Sequence, residues 1–256
     1  MIDIKQKLGL RSHPARLYTK LPDGDVICHL SHRNCRIRRG GAGFCRVRQN
    51  ENGELVTLNY GVSVEMTQEM IETEAVAHFA PGAPILSLGN IGCMLNCDFC
   101  HNWKTSQMKF VEKKDIHHYT PEQVVETALS KGVGIISWTY NDPVVWHEFV
   151  CDTSRLAKAK GLLTLYKSAF SIDPRAVEEL HEVIDIFSLS LKSMNPEVYR
   201  RVAKGSLEPV LEAIKQVHRF GDRHLEISTL LVTDCNDNFG EIDKIAHWIL
   251  KELDAD

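Results

Sequence analysis

The chain has 256 residues, of which 43% are hydrophobic, enough for one large domain or for a barrel with a small appendage. Its formal net charge of −4 argues against a dedicated nucleic-acid binder, which would carry a basic surface. The polar opening Met1–Lys5 is no secretory signal, and prolines and glycines interrupt the uncharged stretch 75–97, so we expect a cytoplasmic protein without a membrane segment.

Residues 1–82 form a distinct N-terminal region, rich in cysteine, arginine, glycine and turn residues and without sustained periodicity. Five arginines are concentrated in its second half, and we interpret them mostly as a solvated basic face: Arg36, Arg38, Arg39, Arg46 and Arg48.

Cys28, Cys35 and Cys45 form one group of thiols within this region, with His29 and His32 nearby. Eight cysteines in a reducing compartment favour metal chemistry over disulfides. Zinc accepts mixed Cys/His ligand sets. Three alternatives therefore stand: a zinc or iron–sulfur site completed by a histidine, a cluster with an open iron, or a loop without metal.

A repeated β-α pattern begins at Pro84 and continues through residues 83–256, which we expect to form the main domain. Such alternation predicts a parallel sheet with helices outside it. The predicted helices begin near the cap Thr120, near Val144, at Asp173, at Leu207 and near Phe239. The predicted strands are 85–88, 134–139, 162–166, 184–191 and 225–233.

Cys93, Cys97 and Cys100 make a C-x3-C-x2-C motif directly after the first of these strands. Three unrelated thiols, or a zinc knuckle lacking its fourth ligand, would be the ordinary explanation. Three thiolates on one loop can instead hold three irons of a [4Fe–4S] cube, whose closed form has four cysteine ligands. Since active sites of β/α barrels lie at the carboxyl ends of strands, the position favours a functional cluster.

The segment Leu86–Trp103 resembles the cluster loop of radical S-adenosylmethionine (SAM) enzymes, and Cys100-His101-Asn102 resembles the glycyl-radical activases such as pyruvate formate-lyase activating enzyme. The upstream stretch, Trp103 and Tyr140–Pro143 are most similar to the radical SAM member of the AmmeMemoRadiSam system. The resemblance implies a partial (β/α)6 barrel, a [4Fe–4S] cluster and reductive cleavage of SAM to a 5′-deoxyadenosyl radical that abstracts hydrogen. It also implies a flavodoxin- or ferredoxin-type reductant and a small-molecule or protein substrate. Only five of the six implied strands are found.

The same resemblance implies a SAM site at the ends of the later strands. The positions concerned are Tyr140, Asn141, Asp142, Ser168, Ser190 and Lys192. Asp142 stands where the family more often has glutamate, to hold the SAM ammonium, and the alternative is a turn before a helix that starts with proline. Lys192 would hold the carboxylate of SAM, or be a solvated residue at a strand exit.

In the group of Cys28, Cys35 and Cys45, Ser31-His32 stands where the family pattern has a cysteine and a proline.

Three further positions carry expectations. Glu226 and Ser228 alternate with apolar residues and should face the barrel interior. Trp103 is expected to shield the cluster from water. The competing function is a non-catalytic iron–sulfur or zinc protein, either an electron carrier or a module that contacts RNA through the arginine face.

Overall fold

The computed structural model describes residues 4–254, so part of the polar opening and the last two residues lie outside the described part. The helices are α1 Ile4–Leu8, α2 Trp103–Ser106, α3 Pro121–Ser130, α4 His147–Ala159, α5 Pro174–His181, α6 Pro196–Val198, α7 Glu208–Phe220 and α8 Phe239–Leu253. The strands are β1 His13–Pro14, β2 Tyr18–Lys20, β3 Val26–Cys28, β4 Cys35–Ile37, β5 Arg48–Glu51, β6 Glu54–Thr57, β7 Val62–Ser63, β8 Glu65–Met70, β9 Pro84–Gly89, β10 His117–His118, β11 Ile135–Thr139, β12 Leu163–Ser168, β13 Ile186–Ser190 and β14 His224–Ser228. None of the helices within residues 4–254 has the length and apolar character needed to cross a bilayer.

The main sheet has six strands in the order β14-β13-β12-β11-β9-β8. Its first five are parallel, which confirms the predicted mostly parallel sheet of a partial barrel. The sixth strand, β8, runs antiparallel to β9 and comes from within residues 1–82. Over the described residues the sheet is open, with β8 and β14 at its edges. The boundary at residues 82 and 83 stays a prediction.

Helix caps fix where several of the predicted helices begin. Thr120 accepts from the Gln123 amide while the Gln123 side chain accepts from the Thr120 amide, so the predicted capping box is present. Asp173 caps α5 through the Arg175 amide. The last strand is shorter than predicted: β14 ends at Ser228, because Asn236 closes the following turn by accepting from the Val232 amide at 2.7 Å.

Strands β1 to β6 of the N-terminal region form two small antiparallel sheets, β2-β3-β4 and β1-β6-β5, whose buried side chains continue the core of the main domain. Strand β7 pairs with β10. Four of the five arginines of the basic run are exposed, as predicted: Arg36, Arg38, Arg39 and Arg46. Arg48 is the exception. Arg48 is 1% exposed, and its guanidinium donates to both carboxylate oxygens of Glu148 in α4 at 3.0 Å. Arg36 is paired with Asp23 and Asp25.

A plug segment, residues 71–79, fills the amino-terminal end of the half-barrel. Its Ile71 and Val76 pack against an apolar layer formed by Ile85, Ile135, Leu165 and Ile186. Above this layer the interior becomes polar. Glu74 accepts from Ser87 at 3.1 Å and from Thr139 at 2.5 Å, and so ties the plug segment to two strands of the sheet.

Candidate active site

A cavity lies at the carboxyl ends of the parallel strands, beside the cysteine loop, residues 90–106. Cys93, Cys97 and Cys100 all line it. The six predicted SAM-site positions line it as well: Tyr140, Asn141, Asp142, Ser168, Ser190 and Lys192. The structure therefore brings together residues that are separated by up to about a hundred positions in the chain.

The three thiols of the cysteine loop are not gathered as tightly as the ligands of a single ion. A zinc ion holds sulfur at about 2.3 Å, so its sulfur ligands lie about 4 Å apart. Within residues 4–254 the one group of three potential ligands whose atoms all lie within 4.8 Å is His147, Cys151 and Glu179, and it does not include these thiols. The three sulfurs therefore do not all lie within 4.8 Å of one another.

Burial favours the protonated form of two of these thiols. It raises the pKa of Cys93 well above its ordinary value, and it raises the pKa of Cys97, against the opposing effect of Lys192. The Cys93 sulfur accepts from the Leu95 amide at 3.3 Å, and Cys100 lies 3.4 Å from the Ser106 hydroxyl. A bound cation would displace the thiol protons, since metal ligation requires thiolates.

Amide side chains hold the cysteine loop against the turn that follows β11. Asn141 donates to the Asn90 carbonyl at 2.6 Å and accepts from the Thr105 hydroxyl at 2.8 Å. Asn102 donates to the backbone carbonyl of Tyr140, whose φ of +62° lies in the left-handed region. These contacts make the two loops one unit, so the thiols and the turn keep a fixed relation.

Asp142 is 3% exposed, and the protein itself binds its carboxylate. Ser168 and the Val144 amide donate to one oxygen at 2.9 and 3.1 Å, and the Ala169 amide donates to the other at 2.9 Å. Three of about four acceptor positions are thus occupied. Ser168 in turn accepts from the Phe170 amide at 2.8 Å. Asp142 thus caps the turn after β11, the alternative that the sequence left open, and it joins the ends of β11 and β12.

Ser190 and Lys192 have side chains that the protein engages less fully. The Ser190 hydroxyl lies 3.4 Å from Ser228, and the Lys192 ammonium lies 5.7 Å from the centre of the Phe99 ring. No ion pair to Lys192 occurs within the part of the chain that the structure describes. The Lys192 backbone is fixed by Asn236, which donates to its carbonyl at 2.7 Å.

Two side chains near the cysteines differ from expectation. Trp103 is 44% exposed and packs edge-on against Phe110 with ring centres 4.7 Å apart, and it does not line the cavity. Trp103 therefore does not form a wall of the cavity, as its expected role of shielding the cluster would require. Lys167, which directly follows the predicted strand 162–166, does line the cavity. Its place at the carboxyl end of a predicted strand was the available signal.

Cys28, Cys35 and Cys45 line a second, narrow cavity in the N-terminal region, together with Arg33 and Met94. Cys28 and Cys35 are opposite each other in the β3–β4 ladder, and burial raises the pKa of Cys45 to about 11.

Neither histidine that was considered as a fourth ligand reaches this second cavity. The His29 ring is hydrogen-bonded to Thr19 and Asn34, and the His32 ring is hydrogen-bonded to Ser171. The donors present are therefore three thiols.

The Radical SAM superfamily model matches residues 90–249. The chain is 34% identical over 239 residues to the uncharacterized protein MJ0808 of Methanocaldococcus jannaschii, covering 93% of this chain and 70% of that protein. It is 24% identical over 165 residues to a pyruvate formate-lyase-activating enzyme of Listeria monocytogenes, covering 62% of this chain and 66% of the relative. Streptococcus suis SuiB bound to S-adenosylmethionine matches with a TM-score of 0.49 at 15% identity, over 66% of this chain and 36% of that one.

Proposed function

The chain belongs to the radical SAM superfamily, and we propose that it uses a [4Fe–4S] cluster on Cys93, Cys97 and Cys100 to cleave SAM reductively. In this superfamily the cluster and SAM together supply a 5′-deoxyadenosyl radical for hydrogen abstraction, and the protein orients both and excludes water. The observation that carries the proposal is the convergence of the three thiols and the strand-end polar residues on one cavity.

The residues around the cavity fit this pair of cofactors. Three thiols with no fourth cysteine at the cavity leave one iron of a cube without a protein sulfur, within the described residues. Lys192 offers a cation that is not paired with a carboxylate, which suits the carboxylate of SAM, and the Ser190 hydroxyl can bond polar groups of the same molecule.

We assign Asp142 and Ser168 a positioning role in this site. Their mutual hydrogen bond, at 2.9 Å, joins the ends of β11 and β12 and leaves about one acceptor position of the carboxylate for a ligand. Asn141 acts in the same sense by fixing the turn to the cysteine loop. Tyr140 covers the end of β9, where a side chain on Gly89 would meet its ring at 2.5 Å.

An activase-like or AmmeMemoRadiSam-like role is the more specific proposal. The matches to pyruvate formate-lyase-activating enzymes favour a hydrogen-abstracting enzyme served by a flavodoxin- or ferredoxin-type reductant. The substrate is then a protein residue or a small molecule.

For Cys28, Cys35 and Cys45 we propose a second metal site, because three thiols from separate segments line one cavity. Since neither His29 nor His32 reaches it, a fourth position would be open. Iron and zinc analysis of Cys28→Ser protein, compared with the unaltered chain, separates this site from the cysteine loop.

Release of 5′-deoxyadenosine tests the main proposal. Protein reconstituted anaerobically with iron and sulfide should carry about four irons in the cysteine loop and release 5′-deoxyadenosine when reduced with dithionite in the presence of SAM. Cys97→Ser should abolish both, whereas Cys235→Ser, which alters a thiol outside the cavity, should abolish neither.

A loaded protein that releases no 5′-deoxyadenosine would contradict the enzymatic proposal. Such a result would favour the competing electron carrier, and protein that takes up zinc alone would favour a zinc module.

A further inference from the structure

Lys167 lies inside the half-barrel, where it forms part of the floor of the cavity. It is paired with Ser188 across β12 and β13, and its ammonium donates to Ser188 at 3.1 Å and to Ser228 at 2.7 Å. Both acceptors are neutral hydroxyls. The ammonium has three donors, so these contacts use two of them.

No carboxylate neutralises this ammonium within 4.0 Å over residues 4–254. The two nearest acidic side chains of the interior are committed elsewhere. Glu74 accepts from Ser87 and Thr139, and Glu226 accepts from backbone amides of the plug segment at 2.9 Å.

Burial of a cation without a partner is costly, and proteins usually pair such a group or bind a ligand there. Burial accordingly lowers the pKa of Lys167 to about 8. The amine is still mostly protonated at neutral pH, so the cavity floor carries a positive charge that Glu74 and Glu226 offset only in part and without direct contact.

The cavity holds a second cation, Lys192, and one carboxylate, Asp142, which is taken up by Ser168 and by backbone amides. If Lys192 serves the carboxylate of SAM, Lys167 has no assigned ligand.

We propose that Lys167 binds an anionic group of the substrate, a carboxylate or a phosphate, at the floor of the cavity. This inference rests on the proposed function, because it takes the cavity as the place of the reaction. It narrows the substrate class to molecules or peptide segments that carry a negative charge close to the hydrogen to be removed.

Thermal unfolding in the presence of simple anions tests this site without turnover. Inorganic phosphate and acetate, compared with sodium chloride of equal ionic strength, serve as probes of the two anion classes. At ten times the dissociation constant, the effective probe should raise the Tm of the reconstituted protein by about 3–6 °C. Lys167→Met should lose that rise, and Lys167→Arg should keep part of it.

Lys158→Met is the matched control, because Lys158 lies at the surface, where it contacts Glu182 and Asp185. It should keep the full rise, and it also controls for the general stabilisation that phosphate gives to any protein. An equal rise in Lys167→Met, or no rise in the unaltered protein with either probe, would overturn the inference.

Release of 5′-deoxyadenosine by the same preparations keeps the two claims apart. If no 5′-deoxyadenosine is released but the anion-induced rise in Tm is intact, the proposed function is contradicted and the anion site stands. If 5′-deoxyadenosine is released normally but no anion raises the Tm, the enzymatic function stands and the role of Lys167 in substrate binding is contradicted.

Discussion

Replacing Glu148 by alanine should lower the free energy of unfolding by about 3–5 kcal/mol, because it leaves the Arg48 guanidinium buried without its carboxylate. The pair joins the N-terminal region to α4, the helix that follows the turn after β11. Although burial alone would raise the pKa of Glu148, the charge of Arg48 holds it below its ordinary value.

The contacts of the pair account for this magnitude. Both side chains are 2% exposed, and one guanidinium nitrogen lies 3.0 Å from each oxygen of Glu148. Glu148 also accepts from the Arg16 amide at 2.8 Å, and Arg48 donates to the Arg16 carbonyl at 2.6 Å. Alanine therefore removes the neutralising charge and leaves a backbone donor without its partner.

Urea unfolding of the apoprotein, followed by circular dichroism, measures the effect. With an m-value of about 3 kcal/mol/M, the midpoint should fall by about 1–1.7 M. Glu212→Ala is the control, because it removes an exposed ion pair with Lys215 and should cost less than about 1 kcal/mol.

The double variant Arg48→Met/Glu148→Leu adds a second comparison. It should be more stable than the single alanine variant, since it removes both charges together. A loss below about 1 kcal/mol for Glu148→Ala, or a double variant less stable than the single one, would refute this reasoning.

Three other predictions concern the cavity and the barrel interior. Asp142→Asn places an amide against the Ala169 N–H, so stability should fall by about 1–3 kcal/mol and calorimetry should show weaker SAM binding. Hydrogen bonds from the plug segment lower the pKa of Glu226 from 4.5 to about 2, against the effect of burial, so the folded state should lose stability as pH falls from about 4.5 to about 2. Glu226→Gln should flatten that dependence in urea titrations, and an unchanged slope would contradict it. Because the Lys167 amine loses its charge as pH rises through about 8, the anion-induced rise in Tm should be smaller at about pH 9 than at about pH 7.

Local signals in the sequence were enough to predict the parallel strands and most of the large helices. The capping box at Thr120 and the Asp173 cap before Pro174 each involve residues within one helical turn. A few consecutive residues therefore suffice to predict where these helices begin. The cysteine loop was equally visible, because its spacing is local and its position follows a strand.

Contacts between distant segments could not be predicted in this way. Strand β8, Glu65–Met70, is a polar edge strand without clear alternation, and its pairing with β9 depends on tertiary contacts. The plug segment and the inward direction of Lys167 depend on the same assembled interior. Asp142 shows that a local signal can also be ambiguous, because Asn-Asp-Pro is typical of a turn and its carboxylate could also bind a ligand. In the structure this carboxylate accepts hydrogen bonds from the Val144 amide and from Ser168.

The most direct test of the account is electron–nuclear double resonance on reduced, reconstituted protein with SAM labelled at its methionine amino nitrogen and carboxylate oxygen. The account predicts magnetic coupling of both labels to the cluster, lost in Cys93→Ser and kept in Cys235→Ser. A fully loaded cluster that shows no coupling to either label, or a fourth protein ligand on the remaining iron, would contradict it.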